Sequence, residues 1–289
     1  MDAMQRIEQA LDRALSHGET PECPPLLAAA LRYAVFPGGA RVRPKLCLAV
    51  ARACAEDERL ITDAAAGAIE LLHCSSLVHD DLPCFDDAPM RRGKPSVHAA
   101  FGERLAVLAG DALIIMAFES LARDAAQQPQ RLANLIRVVA QGVGMPTGIA
   151  AGQAWECESK VDLSHYQRAK TGALFAAATM AGAAAAGADP EPWRALGDRI
   201  GEAYQVADDI LDVTADSEEL GKPVGRDAAL GRPSAAEELG MEGATERLKS
   251  LVADTVDAIP PCPGAEELRR LFVQEAQQFL PKSLVMHAA

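Results

Sequence analysis

Two acidic runs hold the residues best suited to chemistry: Asp80-Asp81-Leu82-Pro83-Cys84-Phe85-Asp86-Asp87 and Asp208-Asp209-Ile210-Leu211-Asp212. Carboxylates packed this closely repel one another unless a cation neutralises them. Oxygen-only groups suit a hard ion such as Mg²⁺, which keeps part of its water and bridges to phosphate oxygens. Asp80, Asp81, Asp86, Asp208, Asp209 and Asp212 are therefore the candidate metal residues. On a helix, residues four apart differ by about 40° around the axis. Asp208 and Asp212 then share a face, with Gln205 a turn earlier on that stripe and Asp209 to one side, placed for a second ion or a water. Asp80 and Asp81 finish a helix that Pro83 stops, and His73 lies two turns back on the same face. The partial negative charge of a helix C-terminus adds to the repulsion that a divalent ion relieves.

Basic groups recur near the breaks in the chain. Gly38-Gly39-Ala40-Arg41-Val42-Arg43-Pro44 reads as a glycine turn entering a helix, with Pro44 in the first turn. Backbone N–H groups at such a start attract anions, and Arg41 offers a planar fork for phosphate oxygens; the plainer alternative is an ordinary helix cap. Arg91 and Arg92 follow the first acidic run in a polar loop. Lys170-Thr171-Gly172 falls within a helix and offers an ammonium, a hydroxyl and a place to kink. Lys222, Arg226 and Arg232 stand in a glycine-punctuated stretch that would suit a mobile lid.

The elements that must position these groups are helical. Alanine and leucine are abundant, aromatics make up 4% of the 289 residues, and no run of alternating β-branched residues occurs. Patterning predicts helices near 3–17, 25–35, 42–56, 60–81, 96–124, 130–144, 163–187, 190–215, 240–258 and 264–280, separated by Pro and Gly. No break is long or polar enough for a flexible linker, so one all-α domain over 1–289 is expected. The net charge of −13 argues against a nucleic-acid partner. It also means that a phosphate site has to be a local basic pocket or a metal site. Seven cysteines without a CxxC pair suggest a reduced, cytoplasmic protein. The first residues lack the pattern of a signal peptide. The longest apolar run, 173–188, is mostly alanine and short for a bilayer, so no transmembrane segment is expected.

Taken together, the GGxRxRP turn, the His73–His79 segment leading into DDxxxxD, Arg91-Arg92-Gly93, Lys170-Thr171, Gln205 and the second DDxxD resemble the trans-isoprenyl diphosphate synthase family, from about residue 30 to about residue 235. The wording is most similar to bacterial geranylgeranyl diphosphate synthases of carotenoid and photosynthetic pigment pathways. The resemblance implies a helical bundle around a deep central cavity, usually a homodimer, and Mg²⁺ as cofactor. It implies isopentenyl diphosphate and allylic diphosphates as substrates. Asp80, Asp81 and Asp86 would hold Mg²⁺ on one side and Asp208 and Asp212 on the other, with Asp87 and Asp209 in support. Arg91, Lys170, Lys222 and Arg232 would bind the allylic diphosphate. Arg41, His73 and Arg92 would bind isopentenyl diphosphate, and Thr171 and Gln205 would lie beside the developing cation. Ala40 departs from the family, which usually has lysine there.

Product length calls for a ruler, since a prenyl unit of roughly 5 Å matches one helical turn. Ser75 and Ser76, a turn before Asp80, are small. They imply a deep pocket and a twenty-carbon product rather than the fifteen-carbon product of a farnesyl diphosphate synthase. In the plainer alternative they only pack a helix. Two other functions compete. A class I terpene cyclase would want an aromatic-lined pocket, and this chain is poor in aromatics. A non-catalytic partner subunit would typically have lost one acidic run, and both are present.

Overall fold

The computed structural model describes residues 1–36, 38–54, 57–160, 163–214 and 235–279; side chains at 163–164, 211–212, 214, 235–238 and 273–279 are outside the description. Lys222, Arg226 and Arg232 lie outside the described residues, and of Asp212 only the backbone is described. The fold is all-α, as the patterning predicts. Its contacts group the chain into two compact units, 1–140 with 181–190, and 141–180 with 191–289.

The first unit opens with α1 (Ala3–Gly18), started by a capping box in which Gln5 N–H donates to Asp2 at 2.8 Å. Ile7, Ala10, Leu11, Ala14 and Leu15 repeat at helical spacing and are buried. Pro25 begins α2 (Pro25–Val35), and α3 spans Val42–Cys54 with Pro44 buried in its first turn. The central element is α4 (Arg59–Asp80). Its buried residues run on all sides, from Ile61 to Val78, which makes it a core helix. Arg6, on α1, holds Asp63 of α4 through Nε at 2.7 Å and also bonds Asp57. After α4 come a short hairpin, β1 (Met90–Arg91) and β2 (Lys94–Pro95), then α5 (Val97–Phe101), α6 (Glu103–Asp124) and most of α7 (Pro129–Val143).

Patterning missed two features here. The hairpin has no alternating pattern; it forms because Arg92 and Gly93 both take left-handed backbone, φ 52° and 75°, which matches the twist of a tight two-residue turn. The expected helix 96–124 is split at Gly102 (φ 85°) into α5 and α6. By length and composition α6 could cross a bilayer. Yet Ala106, Ala109, Gly110, Leu113, Met116, Ala117 and Leu121 are buried in the unit, and Glu103, Arg104, Asp111 and Glu119 are exposed along it.

The second unit contains α8 (Ile149–Ala154), which tightens into a 3₁₀ turn over Trp155–Cys157, and α9 (Leu163–Gln167). A π-turn, Arg168–Gly172, leads into α10 (Ala173–Ala185), so the kink expected near Gly172 takes the form of a widened turn. A second 3₁₀ turn (Glu191–Trp193) precedes α11 (Arg194–Thr214); α12 (Ala235–Asp257) and α13 (Ala265–Phe279) follow. Val206, Ala207 and Ile210 of α11 pack with Ala244, Leu248 and Leu251 of α12. Gly201 lets α11 close on the π-turn: a Cβ there would come within 2.7 Å of Gly172 Cα.

Candidate functional site

In the first unit, the glycine turn, the end of α4 and the hairpin come together. Lys94 fixes the hairpin by donating to the carbonyls of Tyr33 at 2.7 Å and Phe36 at 2.8 Å, where α2 ends. A Cβ on Gly39 would meet the Arg92 guanidinium at 3.0 Å, and a Cβ on Gly38 would overlap that of Arg41. The paired glycines thus make room for two arginines, which is the physical reason for them.

The two arginines have different fates. Arg41, with left-handed φ 54°, has a fully buried side chain. It donates to Glu8 at 2.9 Å, to buried Glu70 at 2.6 Å and to the Val35 carbonyl at 2.9 Å. Burial opposes its charge, and Glu8 and Glu70 outweigh that, raising its pKa. The guanidinium expected to meet a phosphate is turned into the protein, where it ties α1, α2 and α4 together. Arg92 is exposed at the tip of the hairpin.

His73 is half-buried on α4. Desolvation, followed by the charges of Arg43, Arg92, Arg91 and Arg41, holds its imidazole well below the usual histidine pKa. A neutral ring within electrostatic reach of these guanidinium groups can hydrogen-bond an anion. The first-named charge, Arg43, was quoted in the turn motif without a role. Helical spacing gave no signal for it: Arg41, with its left-handed backbone, precedes α3, whereas Arg43 lies in the first turn of that helix.

Where α4 ends, Asp86 N–H donates to the Asp80 carbonyl at 3.0 Å and Ala88 N–H to that of Asp81 at 3.1 Å, folding the acidic loop back on itself. Asp81 is buried and grips Arg91, whose Nε donates to its two carboxylate oxygens at 3.0 and 3.2 Å while Nη2 bonds it as well. Burial raises the Asp81 pKa against the pull of Arg91. Two residues assigned by resemblance to different partners are thus paired with each other. Asp80 and Asp86 are half-buried, and their charges also act on Arg91. Among the described residues no three His, Cys, Asp or Glu side chains are gathered to hold a metal. The donor chemistry of Asp80 and Asp86 nevertheless fits Mg²⁺: two carboxylates on a closed loop at a helix C-terminus.

Ser75 is buried and donates to the Gly110 carbonyl of α6 at 2.9 Å, whereas half-buried Ser76 turns its hydroxyl onto its own helix at His73. For Ser75 the plainer alternative holds: it packs the α4–α6 seam. An open groove of about 800 Å³ between α1, α2 and α5 contains none of the expected site residues; Tyr33, Phe36 and Phe101 line it.

In the second unit, the closure of Gly201 on Gly172 brings α11 against the π-turn, and Thr171 donates to Gln205 Oε1 at 2.8 Å. Gln205 in turn donates from Nε2 to Asp209 Oδ1 at 2.9 Å. The i,i+4 partner of Gln205 is therefore Asp209, rather than the Asp208–Asp212 stripe on which the sequence placed it. Asp209 is buried and Asp208 half-buried. Lys170 forms an ion pair with Glu156 on the 3₁₀ turn after α8.

The polyprenyl synthetase family model matches residues 24–261. The geranylgeranyl diphosphate synthase of Cereibacter sphaeroides is 56% identical over 96% of both chains, and that of Rhodobacter capsulatus is 55% identical over 94% of both. The crystal structure of the Helicobacter pylori geranyltransferase complexed with magnesium and isoprenyl diphosphate superposes with a TM-score of 0.82, at 31% identity over 96% of each chain. The chain belongs to the polyprenyl synthetase family.

Proposed function

We propose that this protein is a trans-prenyltransferase that condenses isopentenyl diphosphate with allylic diphosphates, head to tail, to geranylgeranyl diphosphate. The observation that carries this reading is the identity to geranylgeranyl diphosphate synthases along nearly the whole chain. The family model runs through both units, which favours a single catalytic domain over 1–289.

In this proposal His73, Arg43 and Arg92 bind isopentenyl diphosphate, and Arg41 shapes the turn that presents them. Arg91, steadied by Asp81, binds the allylic diphosphate together with Lys170 and with Lys222 and Arg232. Asp80 and Asp86, and Asp208 and Asp212, take part in holding Mg²⁺. Bound magnesium supplies positive charge that stabilises the diphosphate leaving group. Lys170 and Arg91 add charge-assisted hydrogen bonds to that group as its C–O bond breaks. The Thr171 hydroxyl has its proton committed to Gln205, so its lone pairs can face an allylic cation. The alkene of isopentenyl diphosphate attacks the cation, the departed diphosphate takes the proton that the new cation sheds, and a longer allylic diphosphate results. Asp209 orients Gln205 and is the supporting carboxylate of its cluster.

Ser76, rather than seam-bound Ser75, is the ruler position of choice. The exposed side of α6, with Val107, Leu108 and Ile115, favours a homodimer that covers it. The test is to incubate the purified chain with Mg²⁺, isopentenyl diphosphate and an allylic primer, then size the dephosphorylated product. A linear twenty-carbon alcohol is expected. A fifteen-carbon alcohol would make it a farnesyl diphosphate synthase, a cyclic hydrocarbon a cyclase, and no product a partner subunit.

A further inference from the structure

Glu156 had no role in the sequence reading, yet three donors from three elements, α8, α9 and the π-turn, meet on its carboxylate. Lys170 Nζ and Tyr166 OH both reach Oε1, the tyrosine at 2.6 Å, and Gln153 Nε2 donates to Oε2 at 3.0 Å. The backbone prepares this meeting. A Cβ on Gly152 would lie 2.4 Å from the Lys170 backbone nitrogen, so only glycine lets α8 approach the π-turn this closely. The 3₁₀ turn that follows then swings Glu156 onto the lysine. The Lys170 ammonium also stands 5.7 Å from the Tyr166 ring centre, a further attraction for the cation.

We infer that Glu156 is a positioning residue, which Gln153 and Tyr166 hold in place so that its carboxylate fixes the Lys170 ammonium for the allylic diphosphate. The inference rests on the proposed role of Lys170 as a diphosphate ligand. Its physical logic is entropic. A lysine has a flexible four-carbon stem that must be immobilised when it meets substrate. An ammonium has three N–H groups, so one can anchor on Glu156 while others serve the ligand. Both partners keep about a fifth of their side-chain surface in solvent, 22% for Lys170 and 23% for Glu156, so the ammonium stays accessible. A lysine ordered in advance loses less freedom when substrate binds.

The experiment compares Glu156→Ala, Glu156→Asp, Tyr166→Phe and Lys170→Ala in steady-state kinetics with each substrate varied in turn, after thermal unfolding has verified the fold. Glu156→Ala should raise KM for the allylic diphosphate about tenfold, with KM for isopentenyl diphosphate unchanged. Glu156→Asp should restore part of the loss. Tyr166→Phe, which keeps the ion pair and removes one clamp, should raise the allylic KM by a smaller factor, and it tests the inference even where Glu156→Ala does not fold. Equal rises in both KM values, or an allylic KM that stays level or falls in Glu156→Ala or, where that variant does not fold, in Tyr166→Phe, would overturn the positioning role. Lys170→Ala separates the two layers. If it leaves the allylic KM unchanged, the diphosphate reading of Lys170 fails and the inference falls with it. If it raises that KM while the Glu156 and Tyr166 variants do not, only the inference fails.

Discussion

The two units of the chain use neighbouring residues in opposite ways. In the first unit, adjacent charged residues divide their tasks. Arg41 is turned inward onto Glu8 and Glu70 while Arg43 acts on His73; Asp81 holds Arg91 while Asp80 closes α4 and Asp86 sits half-buried on the loop. In the second unit the polar residues work in series: Thr171 donates to Gln205, and Gln205 to Asp209. The difference follows from the local backbone. A turn or loop can aim successive side chains in different directions, whereas a regular helix offers its polar groups partners three or four residues away. Motif residues next to one another in a turn therefore need not share a function, and those on a helix are coupled.

The comparison can be broken most decisively at the acidic runs. Asp80→Ala and Asp208→Ala should each lower turnover by about a thousandfold or more with helix content unchanged by circular dichroism; near-normal activity in either would remove that run from the chemistry. The next largest effect separates the two arginines of the turn. Arg41→Ala should destabilise the fold by about 3 kcal/mol, because it leaves buried Glu70 without its cation. Arg43→Ala should leave the denaturation midpoint in place and raise KM for isopentenyl diphosphate about tenfold or more. If the two variants behave alike, the division of labour is wrong.

The series in the second unit predicts that Asp209→Ala, which releases the Gln205 amide, lowers kcat about tenfold with little change in either KM. A rise in KM with kcat intact would instead mark Asp209 as a ligand of substrate or metal. The smallest effect is a pH dependence in the first unit. His73 titrates well below the usual histidine range in the folded chain, through desolvation and the charges of the nearby arginines. As pH falls below 6.5, the unfolded chain gains a proton that the folded one does not, so stability drops, by at most about 1.4 kcal/mol per pH unit from this group. The loss levels off once the folded imidazole is protonated too. Urea denaturation at pH 7.5, 6.5 and 5.5 should show a shallower decline in His73→Gln than in the parent.

Most of the architecture could be read from the chain itself. Helix bounds at α1, α2, α4 and α7 follow from apolar spacing, from a capping box at Asp2 and from prolines at element starts, all of which act over a few residues. The order and types of the chemical groups were legible for the same reason. The small hairpin and the split at Gly102 were missed because they depend on single left-handed residues rather than on a pattern.

By itself, then, the sequence determined an all-α chain of the polyprenyl synthetase family, with two carboxylate runs and the basic groups that accompany them. Only tertiary packing decided which arginine of the turn is buried, that Asp81 belongs to Arg91, that Gln205 answers to Asp209, and that Glu156 stands against Lys170. Secondary structure comes from interactions within a few residues, which a sequence displays directly. The direction of a side chain depends on partners such as Glu8 for Arg41, thirty-three positions away, or Glu70 deep in α4, and those partners meet only when helices pack.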